Sequence, residues 1–395
     1  MTVEQSQDEM PLVAALAAAS CRPDSPFYAP GHKRGQGMAK PLVELLGDRV
    51  FRADLPELPE LDNLFAPEGA IAQAQALAAA AFGAEQTWFL ANGSTCGIEA
   101  AVLATCQPGD GLILPRNAHQ SAIAALILSG AVPIFVEPEY DATWAIAHSM
   151  TPARVAAALS AYPQAKAVMM VYPTYYGACG DVAAIAHLTH QAGIPLIVDE
   201  AHAAHFAFHP DLPITALAAG ADIVIQSTHK LLGAMTQASM LHGQGDRVDW
   251  QRLRRSLQLV QSTSPSYLLL ASLDAARWQM ANQGKELMHR TLALAAIART
   301  HLGQIPNLQV FAPTTPTPGC ITTDPTRLTV DVRGLGITGF AADAILHNQL
   351  NVTAELPSLH TLTFILSLGN TELDIQSLIQ GFATLSHLPS ASTPS

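Results

Sequence analysis

The residues Gln226-Ser227-Thr228-His229-Lys230 place a lysine beside a histidine, in a chain with only five lysines among 395 residues. Directly ahead lies the apolar run Ile223-Val224-Ile225, so Lys230 stands just past a strand that reads as buried. Apolar surroundings disfavour the ammonium form and lower a lysine's pKa. The neutral amine is then a nucleophile able to form a Schiff base. Taken alone, the same residues fit a solvated surface lysine equally well.

Three other strand ends carry polar groups. Asp199 closes "IPLIV", 31 residues before Lys230, and Glu200 follows it. A carboxylate there caps a helix or serves a ligand. His202, His205 and His209 come next in "DEAHAAHFAFH". A zinc protease needs His-Glu-x-x-His on a helix, and the order Glu-Ala-His-Ala-Ala-His does not supply it. After "QTWFLA" comes "NGSTCG" (92–97), with two glycines around Ser94, Thr95 and Cys96. Hydroxyls and free N–H groups at a helix start make an anion site, or an ordinary cap. After "GLILP" comes "RNAHQS" with His119.

Together these groups are complementary: an anion cradle, a carboxylate, an imidazole and an imine-forming lysine. Pyridoxal 5'-phosphate requires this set. Its phosphate needs the cradle, its aldehyde the lysine, and its pyridine nitrogen the carboxylate, because a protonated ring is the better electron sink. No metal is required.

The elements that must position these groups are legible as well. "QTWFLA", "GLILP", "VPIFVEP", "AVMMVYP", "IPLIVDE" and "ADIVIQS" are short, nearly all apolar, and followed by Gly, Pro or polar residues. Helical stretches such as 152–161 and 182–192 lie between most of them. This pattern predicts an α/β fold with a mainly parallel sheet sandwiched by helices, and ligands in such sheets bind beyond the carboxyl ends of the strands. From about residue 250 the texture becomes charged and helical, with long helices over 266–304. A smaller α+β domain follows: "NLQVFAP", "RLTVDV", a helix at 338–349, "NVTAEL", "TLTFILSLG" and a helix from 371. The chain thus divides into an N-terminal arm (1–30), a large cofactor-binding domain (31–260), connecting helices (261–304), a small domain (305–386) and a Ser/Pro-rich tail (387–395) read as disordered.

Composition narrows the function classes. A net charge of −12 argues against a nucleic-acid surface. Five scattered cysteines without a Cys-x-x-Cys pair argue against a disulfide framework or structural zinc, and fit a reducing cytoplasm. "PLVAALAAASC" resembles a secretory apolar segment, but Glu4, Asp8 and Glu9 precede it where a signal peptide needs positive charge. An Ala-rich helix packed on the body is expected instead. "SAIAALILSGAVPIFV" is broken by Gly130 and Pro133 and is too short to span a bilayer.

Longer motifs add a resemblance. "FYAPGHKRG" (27–35), "LPELDNLFAPEGAI" (58–71), "FGAEQTWFLANGSTCGIEA" (82–100), "RNAHQS", "VYPTYYGACGDV" (171–182), "VDEAHAAHF", "QSTHKLLGAMTQASMLH" and "STSPSYLLLASLD" (262–274) resemble the bacterial ornithine/lysine/arginine decarboxylases, from about residue 27 to 385. These are pyridoxal-phosphate enzymes of fold type I. The resemblance implies that Lys230 holds the cofactor covalently and Asp199 bonds its ring nitrogen. It implies His119 on one ring face and Ala201 on the other, and Ser94, Thr95, Ser227 and His229 around the phosphate. Ser262 would reach a neighbouring subunit's phosphate, which implies a homodimer. Lys230 or His229 would return a proton to Cα. Relative to that family the chain reads as a short form without the N-terminal wing and the C-terminal region, and Gln120 stands where the family has Lys.

The rivals are an aminotransferase or lyase of the same fold, and a cofactor-binding regulatory protein. Aminotransferases clamp the substrate carboxylate with a late Arg, and no Lys or Arg follows Arg333 here. Decarboxylation of arginine, lysine or ornithine is therefore favoured, with the choice among the three open. For the substrate's basic end the candidates are Glu355 and the acidic stretch Glu57, Glu60 and Asp62.

Overall fold

The computed structural model describes residues 6–388. The first five residues and residues 389–395, most of the expected tail, lie outside them.

Seven strands form the central sheet: β1 (Gln86–Leu90), β2 (Gly111–Pro115), β3 (Val132–Val136), β4 (Ala167–Val171), β5 (Leu196–Asp199), β6 (Ile223–Gln226) and β7 (Ser239–Gly243). Their spatial order is β1-β7-β6-β5-β4-β2-β3. The five strands from β6 to β3 are parallel, and β7 runs antiparallel between β6 and β1. All six strands read from the sequence are present, and β7 is the additional one.

Alternation along each strand splits its side chains between two apolar layers. Val168, Met170, Leu196 and Val198 face one layer, shared with the helices Pro11–Ser20, Ala70–Phe82 and Val182–Gln191. Ala167, Met169 and Ile197 face the other, with the helices Gly93–Thr105, Gln120–Ser129 and Trp250–Val260. Burial on both faces is why these strands read as unbroken apolar runs. Gly97 shows how close the second layer lies: a Cβ there would sit 2.7 Å from Leu90 Cδ1 and 3.0 Å from Ile225 Cγ2. The N-terminal helix packs as expected, burying Leu12, Leu16 and Ala19, and the Leu12 N–H donates to Asp274 Oδ2 at 3.0 Å.

The connecting region is one 36-residue helix, Tyr267–Leu302. Its first half packs in the large-sheet core through Leu270, Leu273 and Met280. Its last turns, through Leu294, Ala298 and Leu302, belong to the core of a second sheet. That sheet is antiparallel and contains β8 (Gln309–Val310), β9 (Arg327–Asp331), β10 (Leu356–Pro357) and β11 (Thr361–Ile365), in the order β8-β9-β11-β10. The helices Gly339–Leu350 and Glu372–Ser386 cover it. A short ribbon, Ala178–Cys179 against Thr322–Thr323, ties the loop after β4 to the approach to β9. Among the described residues no helix is long and apolar enough to cross a membrane.

Candidate active site

The carboxyl ends of β1, β2, β4, β5 and β6 open onto one cleft of about 340 Å3, whose walls include Ser94, His119, Tyr175, Asp199, Ala201, His202 and Lys230. β5 and β6 are adjacent and parallel, with Asp199 opposite Ile225. The 31-residue spacing therefore brings Asp199 and Lys230 to neighbouring strand ends. The connection between them contains only the short 3-10 turn Phe206–Phe208, without a longer helix.

Asp199 is nearly closed to solvent, and its Oδ1 accepts from the Ala201 N–H at 3.2 Å. Burial pushes its pKa up, while the Ala201 N–H, Lys230 and His119 pull it back. Lys230 moves the opposite way: burial lowers its pKa, Asp199 opposes that, and Arg327 adds to it. The amine is thus held toward neutrality beside a carboxylate.

The helix Gly93–Thr105 begins at the edge of the cleft. Gly93 has φ +78°, which suits a residue without a side chain. Ser227 Oγ donates to Ser94 Oγ at 2.7 Å, so the hydroxyls from the ends of β1 and β6 meet at that helix start. Thr95, one residue on, is solvent-exposed. His119 caps the helix Gln120–Ser129, its Nδ1 accepting from the Ser121 N–H at 3.2 Å, with its ring on the cleft wall. His229 is half-buried, and burial followed by the charge of Lys230 lowers its pKa.

Two expected residues lie further out. Ser262 is exposed in the loop after Trp250–Val260, where its N–H donates to Asn92 Oδ1 at 3.3 Å, next to the start of the helix Gly93–Thr105. Glu355 is also exposed, and its Oε1 accepts from Tyr175 OH at 2.7 Å, which puts its carboxylate at the rim of the cleft. Of the acidic stretch, Asp62 is taken up by backbone N–H groups of Gly69 and Ile71 and Glu57 by Asn63, as loop-ordering contacts outside the cleft.

The three histidines after Asp199 part company. His205 reaches Asp324 at 3.4 Å, and His209 accepts from the Asp211 N–H. His202 turns into the cleft, with Nε2 3.0 Å from Lys230 Nζ and its ring 4.5 Å from the Tyr175 ring. On its other side, Nδ1 is 2.6 Å from Arg327 Nη2. Weighing His202 only as a metal ligand, and seeking a basic residue only after Arg333, passes over both. Arg327 opens β9 and pairs with Ile365 of β11, its neighbour in the sheet. An Arg that begins an otherwise apolar strand is the available signal.

A family model described as "Orn/Lys/Arg decarboxylase, major domain" matches residues 10–323. The chain belongs to this family. Among curated proteins, the arginine decarboxylase of Bacillus subtilis (strain 168) is 39% identical over 381 residues, 96% of this chain and 78% of that protein. Among solved structures, the lysine decarboxylase LdcF of Francisella novicida superposes with a TM-score of 0.84 at 22% identity, covering 95% of this chain and 60% of that one. The chain therefore spans under two thirds of that solved relative. A structure described as "SPT with PLP" has a TM-score of 0.61 at 14% identity, over 79% of this chain and 75% of that one. The fold is that of the fold type I pyridoxal-phosphate enzymes, and the family's cofactor is pyridoxal phosphate. The residues fit this group: a buried carboxylate faces a lysine of lowered pKa across a cleft that starts at a hydroxyl-bearing helix N-terminus.

Proposed function

We propose that the protein decarboxylates a basic amino acid, arginine in preference to lysine or ornithine, with pyridoxal 5'-phosphate in the Lys230–Asp199 cleft. The observation that carries this reading is the meeting of Lys230 and buried Asp199 on adjacent parallel strand ends, beside the Ser94–Ser227 hydroxyl pair. The named activity of the Bacillus relative supports arginine.

In this reading Lys230 binds the cofactor's aldehyde carbon, and Asp199 keeps the ring nitrogen protonated. His119 and Ala201 take the two ring faces. Ser94, Thr95, Ser227 and His229 hold the phosphate. The bound cofactor supplies the electron sink that accepts the pair left at Cα when CO2 departs. Lys230 or His229 then returns a proton to that carbon. At the rim, Glu355 and Tyr175 receive the substrate's guanidinium, which suits a carboxylate through paired N–H donors. Arg327 does not serve as a substrate clamp here, because its side chain is sealed from solvent and engaged by His202 and Asp324. That arrangement favours loss of the substrate carboxylate over its retention.

Ser262, exposed beside the cradle helix, supports a homodimer in which it reaches the partner's phosphate. The large domain at 31–260 and the small one at 305–386 would each contribute to the cleft, and a cytoplasmic setting accords with the scattered thiols. The test is a panel of arginine, lysine and ornithine with cofactor-loaded protein. CO2 and the matching amine are expected, fastest from arginine. Keto-acid formation without CO2 would overturn the reading in favour of amino transfer.

A further inference from the structure

His202 lies between two groups that are both ordinarily cations. Its Nδ1 is 2.6 Å from Arg327 Nη2, and its Nε2 is 3.0 Å from Lys230 Nζ. A guanidinium offers N–H donors and no lone pair, and it keeps its charge in proteins. Nδ1 must therefore accept. A neutral imidazole with one accepting nitrogen carries its proton on the other, so Nε2–H points at Lys230. An ammonium is also donor-only, so the lysine can complete this contact only through a lone pair. The reverse arrangement, an ammonium donating to Nε2, would set Nδ1–H against an Arg N–H at 2.6 Å.

We propose that Arg327 is a positioning residue that locks His202 in its Nε2–H tautomer, and that His202 in turn holds the Lys230 nitrogen with its lone pair available. That lone pair attacks the aldehyde carbon. A C–N double bond forms, and the carbonyl oxygen leaves as water with the amine's two protons.

The lock is built into the surroundings of Arg327. The residue is 2% exposed, and its Nε and Nη1 find no hydrogen bond among the described residues, so the guanidinium's hydrogen bonding is directed at His202. Asp324 Oδ2 lies 3.8 Å from Nε, and the other oxygen of Asp324 is held by Thr326 Oγ1 at 2.7 Å and His205 at 3.4 Å. Gly177 presses on the Arg327 stem: a Cβ at that glycine, whose φ is +86°, would lie 2.8 Å from Arg327 Cβ. Tyr175 covers the His202 ring. The charged and titratable groups facing Lys230 are Asp199 and Glu355, which favour its protonation, and Arg327, which opposes it, together with His202 and His229; His119 faces His202 across the cleft.

The inference rests on Lys230 being the cofactor anchor, but its first test needs no cofactor. Nitrogen NMR of the full chain carrying 15N-labelled histidine, with His202→Gln used for assignment, reads the tautomer directly. At neutral pH, a protonated Nε2 and a bare Nδ1 are expected in the wild type. Arg327→Lys, which keeps a donor-only cation, should preserve this pattern, and Arg327→Met should lose it. The second readout is the pH dependence of pyridoxal-phosphate attachment, trapped with borohydride and mapped to its lysine. Arg327→Met should raise the midpoint by about one pH unit and slow attachment at pH 7 about tenfold, while Arg327→Lys stays near the wild type. A wild-type His202 protonated at Nδ1, or at both nitrogens, overturns the proposal, and this needs no variant to fold. So does an Arg327→Met protein with unchanged nitrogen pattern and midpoint. Trapping at another lysine would instead remove Lys230 as the anchor, and with it the function proposed above, while leaving the histidine measurement to stand.

Discussion

Asp199 and Glu200 are consecutive, 6% and 0% exposed, and they serve two different polar clusters. Asp199 looks into the cleft, where the Ala201 N–H, Lys230 and His119 offset part of the cost of its burial. Glu200 sits in a sealed chain of neutral partners. Its Oε1 accepts from the Ala216 N–H at 2.7 Å and its Oε2 from Gln226 Nε2 at 2.6 Å. Gln226 Oε1 lies 3.1 Å from His242 Nε2, and His242 Nδ1 lies 2.8 Å from Thr87 Oγ1. With no cation at hand, burial pushes the Glu200 carboxyl up to about 8 and brings His242 down to about 3. The two clusters share a peptide bond and differ in their partners. Burial among neutral groups shifts Glu200 and His242 to their uncharged forms, whereas in the cleft burial and the neighbouring groups pull against each other on Asp199 and Lys230.

The sharpest way to break this contrast is to remove the lysine from the cleft. Lys230→Ala should lower kcat by on the order of 10^3-fold or more and abolish the borohydride-trapped cofactor, as measured by CO2 release and peptide mass. Asp199→Asn keeps the shape and loses the charge. It should retain cofactor absorbance while kcat falls by on the order of 10^2-fold.

Glu200→Gln probes the sealed side. A carboxyl raised from its usual 4.5 to about 8 favours the folded state most below 4.5, and that contribution is lost as pH rises through about 8. The wild type should therefore lose on the order of 1.4 kcal/mol of stability per pH unit across that window. The Gln variant should show a flatter profile, checked by denaturant melts at pH 5 and pH 8. The smallest effect is expected at the exposed rim. Glu355→Gln should raise KM for arginine roughly tenfold, about 1.4 kcal/mol, with kcat little changed; equal KM values would remove Glu355 from the substrate site.

The cleft was legible in the sequence to the extent that its strands are apolar on both faces. Each such run ends abruptly, and its last residues name the site. β7 escaped because it is a polar strand in a buried place: Ser239 and His242 are fully enclosed, and His242 is sustained by Gln226 and Thr87, which are distant in sequence. The expected long helices are a single helix, Tyr267–Leu302, in which Gly284 packs against Phe208, whose Cβ would lie 3.0 Å from an added Cβ. Arg327 and His202 could not be paired by spacing, since 125 residues separate them and only the folded chain brings them together. Lys230, Asp199, His119 and Ser94 were recoverable as cleft residues because each ends a strand or stands within four residues of a strand's end.

The ribbon joining Ala178–Cys179 to Thr322–Thr323 has a consequence for motion. It is extended by the Asp324 N–H donating to the Gly177 carbonyl at 2.8 Å, and one short turn of chain further on Arg327 is fastened to His202. Swinging the second sheet away from the first would tear this seam and uncover a guanidinium at the same time. The rim is less costly to open: there Tyr175 and Glu355 are joined by one hydrogen bond, which can break while the seam stays intact.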